Sequence, residues 1–585
     1  MDKEKLKNLA KKEWHLPYSE KVHRVIKSFS LSEKVVFFFF TIVFILSGIS
    51  LLYQLNKLFL VTIPDYGGTL SEGVIGSPRF VNPLLATSDI DKDLITLMYS
   101  GLMKVNSDGE LVPDLAESYS ISPDSLTYTF ILKDNLYFHD GTKLTTDDIV
   151  FTIERAQDPG LKSPREANWS GVTVKKIDDK TISFTLKQPY SPFIQNTTLG
   201  ILPKHIWKTA SVEELPFSQF NIKPVGSGPY KIESIIYTSS GLPEEYKLVA
   251  FKKYSLGEPY ITSFSIKSYQ NEKDIIDAYN SGNVETVHGI TPNQIAGLKT
   301  ADSNITLAPL PRIFGVFFNQ NVAPVFLNKE VRQALNMATD KQEIINNIIG
   351  GYGQPIDSPV PVKTISNDKG RLIGDQPERL EKAKALLVKN GWKENTSGIF
   401  EKKDKKNTTT LSFSISTGDA PELKETAYLL QRQWRALGAD VKVKIFETGD
   451  LNQNIIRPRK YDSLLFGEIV GRDLDLYPFW HSSERASPGL NIALYANVKT
   501  DKLLENIRKT SDPALQQTYL NNFSKEIRSD VPAIFTYSPY FIYIVPKKVN
   551  NIKLGTLTAS AERFSNIGEW YIETNNVWEI FAKQK

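Results

Sequence analysis

Four histidines follow residue 60: His139, His205, His288 and His481. None has a second histidine within helical or hairpin reach, so the zinc-hydrolase pattern of two histidines one turn apart beside a glutamate is absent. No glycine-flanked serine elbow occurs, nor a glycine-rich loop ending in Lys-Ser/Thr that would cradle a phosphate. Gly226-Ser227-Gly228-Pro229-Tyr230 is rich in glycine, but Pro229 removes a backbone donor that a phosphate needs, and the segment reads as a tight turn into a strand. Phe138-His139-Asp140-Gly141-Thr142 reads as an Asp-Gly turn rather than a His/Asp ligand pair. The adjacent acids Asp147/Asp148, Asp178/Asp179, Glu213/Glu214 and Glu244/Glu245 invite comparison with the paired carboxylates of glycoside hydrolysis. Each pair sits at a cap, turn or polar loop, where solvated carboxylates are expected. The chain has no cysteine, which excludes disulfides, thiolate nucleophiles and metal ligands, and lipid attachment through an N-terminal cysteine. No catalytic residue, metal site or cofactor is expected from these motifs.

The elements that would position a binding site begin at a membrane. Val35 to Asn56 carries no charged side chain, and about 20 apolar residues suffice for a helix to cross a bilayer. The first 34 residues hold 9 of the 70 Lys/Arg and 5 of the 66 Asp/Glu, so the remainder carries 61 of each. The pI of 8.6 therefore belongs to the tail, and no nucleic-acid surface is expected. Basic flanks stay cytoplasmic. The reading is a cytoplasmic tail (1–34), a transmembrane helix (35–56), a linker (57–67) and an extracytoplasmic main domain, periplasmic or cell-surface. The small triplet Gly48-Ile49-Ser50 keeps a cleaved signal peptide as the rival.

Beyond the linker the pattern is mixed α and β. Leu126, Tyr128, Phe130 and Leu132 share one strand face, and Ile182, Phe184 and Leu186 another. Thr145 with Asp148 three residues on predicts a capped helix start. A helix over 381–389 stops at Asn390-Gly391, and one over 421–437 stops at Gly438 before the strand 441–446; that succession builds α/β layers.

Leu102 to Tyr119, with its core Asp108-Gly109-Glu110-Leu111-Val112-Pro113-Asp114-Leu115-Ala116-Glu117, closely resembles the signature of extracytoplasmic solute-binding proteins of the peptide/nickel type, solute-binding family 5. Leu126 to Phe130, Phe138 to Phe151, Ile201-Leu202-Pro203-Lys204-His205, Gly226 to Lys231, Phe317-Phe318-Asn319 and Glu330 to Leu335 follow in the family's order. The resemblance covers roughly 68–580. It implies an α/β, two-lobed periplasmic-binding-protein-like clamp with an inserted extra domain. Lobe one would take 68–109, 191–270 and 541–585, the insertion 110–190, and lobe two 271–540. Hinge strands would cross between the lobes twice.

The implied function is the substrate-binding subunit of an ABC-type importer, working with permease and ATPase subunits and binding oligopeptides or a similar small solute. The alternatives are a non-peptide solute such as a sugar or metal chelate, or an extracytoplasmic hydrolase. The family's carboxylate for a ligand amine lies in a segment resembling G-x-x-x-D-x-x-D-P, here Gly467-Glu468-Ile469-Val470-Gly471-Arg472-Asp473-Leu474-Asp475-Leu476. Leu476 stands where proline is expected, and the tryptophan often seen just upstream is missing. The implied ligand-binding residues are Asp473 or Asp475, with Arg472 beside them as a possible ion-pair partner.

Overall fold

The computed structural model describes residues 19–361, 376–404, 407–472, 474–510 and 512–582. These fall into two compact bodies, one running up to Asp65 together with Thr574 onward, the other Tyr66–Glu573.

The first body is built on the helix Leu31–Phe59. Ser30 and Glu33 close a capping box at its start, the Ser30 N–H donating to Glu33 Oε2 at 2.8 Å. The helix buries none of its residues in protein. An apolar surface of this length with no protein cover favours lipid over water, and this is the one candidate membrane-spanning helix among the described residues. Part of the segment expected as a linker is ordered: Leu60–Pro64 pairs antiparallel with Thr574–Trp578. The Trp578 indole N–H donates to Asn56 Oδ1 at 2.7 Å.

In the second body, one strand of 14 residues, Ala533–Pro546, organises the fold. At about 3.3 Å per residue it is long enough to serve two lobes. Its first half pairs with Arg312–Phe318 and Gly353–Pro355, and its second half with Ser303–Pro309 and Thr286–His288. The apolar side chains divide with it. Phe541, Tyr543 and Val545 pack in a core with Leu70, Phe264 and Trp570, whereas Ile534 and Tyr537 pack with Val316, Phe413 and Trp434. Two cores joined by a shared strand, and by the step from Pro309 to Arg312 between successive strands, make a two-lobed α/β clamp.

Within each lobe the local signals act as expected. Pro421–Leu437 lies between the parallel strands Ser412–Gly418 and Asp440–Phe446 and ends at Gly438, which is left-handed. The antiparallel sheet of Ala116–Ile121, Thr127–Leu132, Thr181–Thr185 and Thr173–Lys176 forms the extra unit. Its helix Thr146–Gln157 starts where Asp148 Oδ2 accepts from the Thr145 N–H at 2.9 Å.

The glycine-rich turn has a packing reason. A Cβ on Gly226 would lie 1.8 Å from the Met98 carbonyl oxygen, so only glycine lets this loop close onto the end of the helix Asp89–Met98. The Gly228 N–H donates to that same carbonyl at 2.9 Å.

Candidate functional site

Both lobes wall a cavity of about 500 Å³, to which lobe two contributes Gly471 and Arg472, lobe one the helix Asp89–Met98 and the turn at Thr558–Glu562, and the extra unit the loop around Arg165. A second cavity of about 440 Å³ adjoins it, sharing Thr96, Gly200 and Glu562 and continuing to Tyr99, Lys104 and Asp114. The helix wall is held from its first turn. Ser88 caps it, and the buried carboxylate of Asp91 accepts from the N–H groups of Arg79 and Phe80 at 2.8 and 3.0 Å.

Arg472, just past the strand Ser463–Ile469, reaches across the cleft. Its guanidinium donates to the Gly109 carbonyl (3.0 Å), the Thr556 carbonyl (3.0 Å) and Glu562 Oε2 (2.6 Å). Glu562 is oriented by Thr558, whose N–H and hydroxyl both donate to it at 2.6 Å. Gly109 sits at φ +83°, a left-handed conformation that favours glycine, and a Cβ there would lie 2.6 Å from Arg472 Nη1 and displace the guanidinium.

Asp475 is paired inside lobe two. Arg508 donates to its two carboxylate oxygens from Nε at 2.9 Å and Nη2 at 2.7 Å, a two-pronged charge-assisted contact. The same guanidinium lies 3.9 Å over the Tyr477 ring. Asp473 lies outside the described residues. Arg472 thus finds its carboxylate in Glu562, 90 positions along the chain.

Next to Glu562 stands Arg563, fully buried in lobe one. It donates to Glu72 Oε1 (2.8 Å) and, with both terminal nitrogens, to Asp93 (2.7 Å each). Tyr543 OH donates to Glu72 Oε2 at 2.6 Å and His288 Nδ1 lies 3.1 Å from Glu72 Oε1. Burial pushes the Glu72 carboxyl up, but the Arg563 charge and the His288 and Tyr543 hydrogen bonds outweigh it and hold the group down at about 2. One short segment therefore faces two ways. Glu562 meets lobe two across the cleft, while Arg563 ties the helix Asp89–Met98 and the strand Thr69–Ile75 to the hinge strand Ala533–Pro546.

The sequence motifs examined for chemistry resolve into structure. Phe138–Thr142 is a turn, closed by the Gly141 N–H to the Phe138 carbonyl at 2.9 Å with Gly141 at φ +91°. His139 is held low, at about 4, by burial, its ring bonded to the Gly228 carbonyl at 3.1 Å. Asp140 instead meets His205 at 2.7 Å. Among the described residues no group of three His, Cys, Asp or Glu side chains converges on a metal position.

Two charged groups stood out only in three dimensions. Arg165 lines the interlobe cavity with its Nε buried and unpartnered. Glu468, in the strand Ser463–Ile469, is 3% exposed and neither carboxylate oxygen has a hydrogen-bond partner. No pattern marks Arg165, and Glu468 stands only at a variable position of the segment Gly467 to Leu476, because burial without a partner is not a local property.

Residues 110–487, more than half of the chain, match the model of the bacterial extracellular solute-binding proteins, family 5 middle region. The oligopeptide-binding protein AppA of Bacillus subtilis (strain 168) is 29% identical over 500 residues, covering 84% of this chain and 90% of AppA. The structure of B. subtilis AppA in complex with a nonapeptide matches at a TM-score of 0.63 and 27% identity, covering 87% of this chain and 100% of that one. NikZ from Campylobacter jejuni in complex with Ni(L-His) matches at a TM-score of 0.64 and 26% identity, covering 86% and 99%.

Proposed function

The chain belongs to the family 5 bacterial extracellular solute-binding proteins, and from that premise we propose that it captures oligopeptides between its lobes for an ABC importer. It is a substrate-binding component and catalyses no reaction. Its part is to close on a ligand and present it to permease and ATPase subunits. The observation that carries the reading is the cavity walled by both lobes, with Arg472 spanning from one to the other. A ligand that touches both walls binds the closed form better than the open one, and that difference drives closure. Main-chain hydrogen bonds to peptide groups, with side chains for the charged ends, are the expected contacts.

The strand pairings support placing 271–309 with lobe one, because Thr286–His288 and Ser303–Pro309 join its sheet. The crossing then falls at Leu310-Pro311 and near the middle of Ala533–Pro546. Asp473 and Asp475 remain the proposed partners of a ligand ammonium, Asp475 only by exchanging its bond to Arg508. The basic tail supports a cytoplasmic N-terminus, with the lobes outside and tethered by the helix Leu31–Phe59.

The test is mass spectrometry of ligands that co-purify with the full chain, followed by thermal melts against a peptide pool. A ligand at 100 times its Kd adds about 2.7 kcal/mol to the folded state. Stabilisation by peptides is expected. The match to NikZ with Ni(L-His) favours a metal chelate as the second reading, and stabilisation by nickel–histidine alone would select it. Peptide cleavage by pure protein would overturn both.

A further inference from the structure

The helix Leu31–Phe59 outlasts the membrane it suits. Its uncharged run, Val35 to Asn56, covers about 33 Å at 1.5 Å per residue, enough for a hydrocarbon core of about 30 Å. Asn56, Lys57, Leu58 and Phe59 therefore fall at the level of the lipid headgroups. A segment 522 positions beyond Asn56 returns to that level. Thr574–Trp578 pairs with Leu60–Pro64, Trp578 standing opposite Leu60. The Trp578 indole N–H donates to Asn56 Oδ1 at 2.7 Å, and its ring lies 6.3 Å from that of Phe59. Thr62 Oγ1 donates to Asn576 Oδ1 at 2.8 Å across the pair. The short helix Glu579–Ala582 follows and packs against both strands.

This segment turns large apolar side chains outward. Ile580 is 67% exposed and Phe581 60%, and Trp578 is exposed too, as are Leu58 and Phe59 on the adjoining helix end. Water penalises an apolar patch of this kind, and such patches mark surfaces that meet a partner. Here the patch continues the lipid-facing surface of the helix. A tryptophan whose N–H is bonded while its ring stays exposed is the kind of side chain that gathers at a membrane–water boundary.

We propose that Trp578–Phe581 is a second membrane contact, a foot seated among the headgroups and upper acyl chains beside the end of Leu31–Phe59. Its partner is the bilayer itself. The assignment rests on the reading of Leu31–Phe59 as membrane-spanning and is independent of what the lobes bind. It also changes the character of the tether. Pro64 pairs with Thr574, so the chain enters and leaves Tyr66–Glu573 through two neighbouring strand ends rather than on one free leash. The foot holds both ends at the membrane surface.

The test uses the full chain in phosphatidylcholine nanodiscs with no permease present. The chain has no cysteine, so Glu579→Cys, Phe44→Cys and Ser240→Cys each carry a single bimane label. Nitroxides at two depths on the lipid chains and iodide in the water read where each label sits. Phe44, in the middle of the uncharged run, should sit near the bilayer centre, and Ser240, exposed in a turn between strands, in water. The Glu579 label should be quenched from the lipid, shielded from iodide and placed about 15 Å from the centre, at the edge of the hydrocarbon. Adding Ile580→Ser and Phe581→Ser should return it to the iodide response of Ser240. Both side chains are exposed, so this change leaves the fold intact.

A Glu579 label as open to iodide as that on Ser240, with Phe44 buried, overturns the foot while the tether stands, and leaves the patch to a protein partner. A Glu579 depth unchanged by the serine pair overturns it equally, because the apolar side chains then do not hold the segment in lipid. Phe44 open to iodide overturns the membrane-spanning reading and the foot with it.

Discussion

Replacing Glu468 by glutamine should make the protein more stable as pH rises. Glu468 is 3% exposed, opposite Ile313 in the neighbouring strand, and neither of its oxygens is hydrogen-bonded. Burial pushes its carboxyl well above the ordinary range, and the nearby Trp480 indole N–H, itself without a hydrogen-bond partner, offsets only part of that. The folded protein therefore keeps a proton that the unfolded chain releases near pH 4.3. Below that value both states are protonated and Glu468 costs little. Above it the folded state binds more protons than the unfolded one, so stability falls with rising pH, by about 1.4 kcal/mol per pH unit until the folded group itself ionises.

The total is set by the cost of ionising the buried carboxyl without a partner, which exceeds the about 1–3 kcal/mol of an unpaired neutral polar group. Glutamine has nearly the same shape and no proton to lose. Melts of wild type and Glu468→Gln across pH 4–8 should nearly coincide at pH 4 and diverge above it, the variant gaining about 2–4 °C for each kcal/mol. Parallel curves over the whole range would refute the argument. So would a variant less stable than wild type at pH 8, because Glu468 would then have a partner.

Arg563→Met should cost about 3–5 kcal/mol, because Glu72 and Asp93 would be left as buried charges without their cation; denaturant unfolding measures it. Wild type should lose this stabilisation as pH falls from about 4.3, the unfolded value, toward the Glu72 value of about 2, and Arg563→Met should show a flatter acid limb. Arg472→Met should weaken peptide-pool binding about 3- to 10-fold, since its ion pair with Glu562 is partly exposed and worth only about 1 kcal/mol. Unchanged affinity in calorimetry would mean that the span from Arg472 to Glu562 does not help hold the lobes closed.

The local features were legible from the chain itself. An uncharged apolar run of sufficient length can only be a helix that seeks lipid or a core, and Leu31–Phe59 is that helix. Alternation marked Thr127–Leu132 and Thr181–Thr185, and the Thr145–Asp148 and Gly438 signals marked helix ends, because periodicity and capping act within a few residues. The ordered motifs from Leu102 onward identified the clamp. The site was only partly legible. Arg472 was marked by its neighbours Asp473 and Asp475, yet its partner is Glu562, and the partner of Asp475 is Arg508, 33 positions on. Glu72 and Arg563 meet across 491 positions. Whether a charged side chain is paired, exposed or left alone in a cleft depends on which distant segments fold against it. Composition and spacing determined the elements and their order; only the tertiary structure decided that the Nε of Arg165 and the carboxylate of Glu468 would be buried without a hydrogen-bond partner.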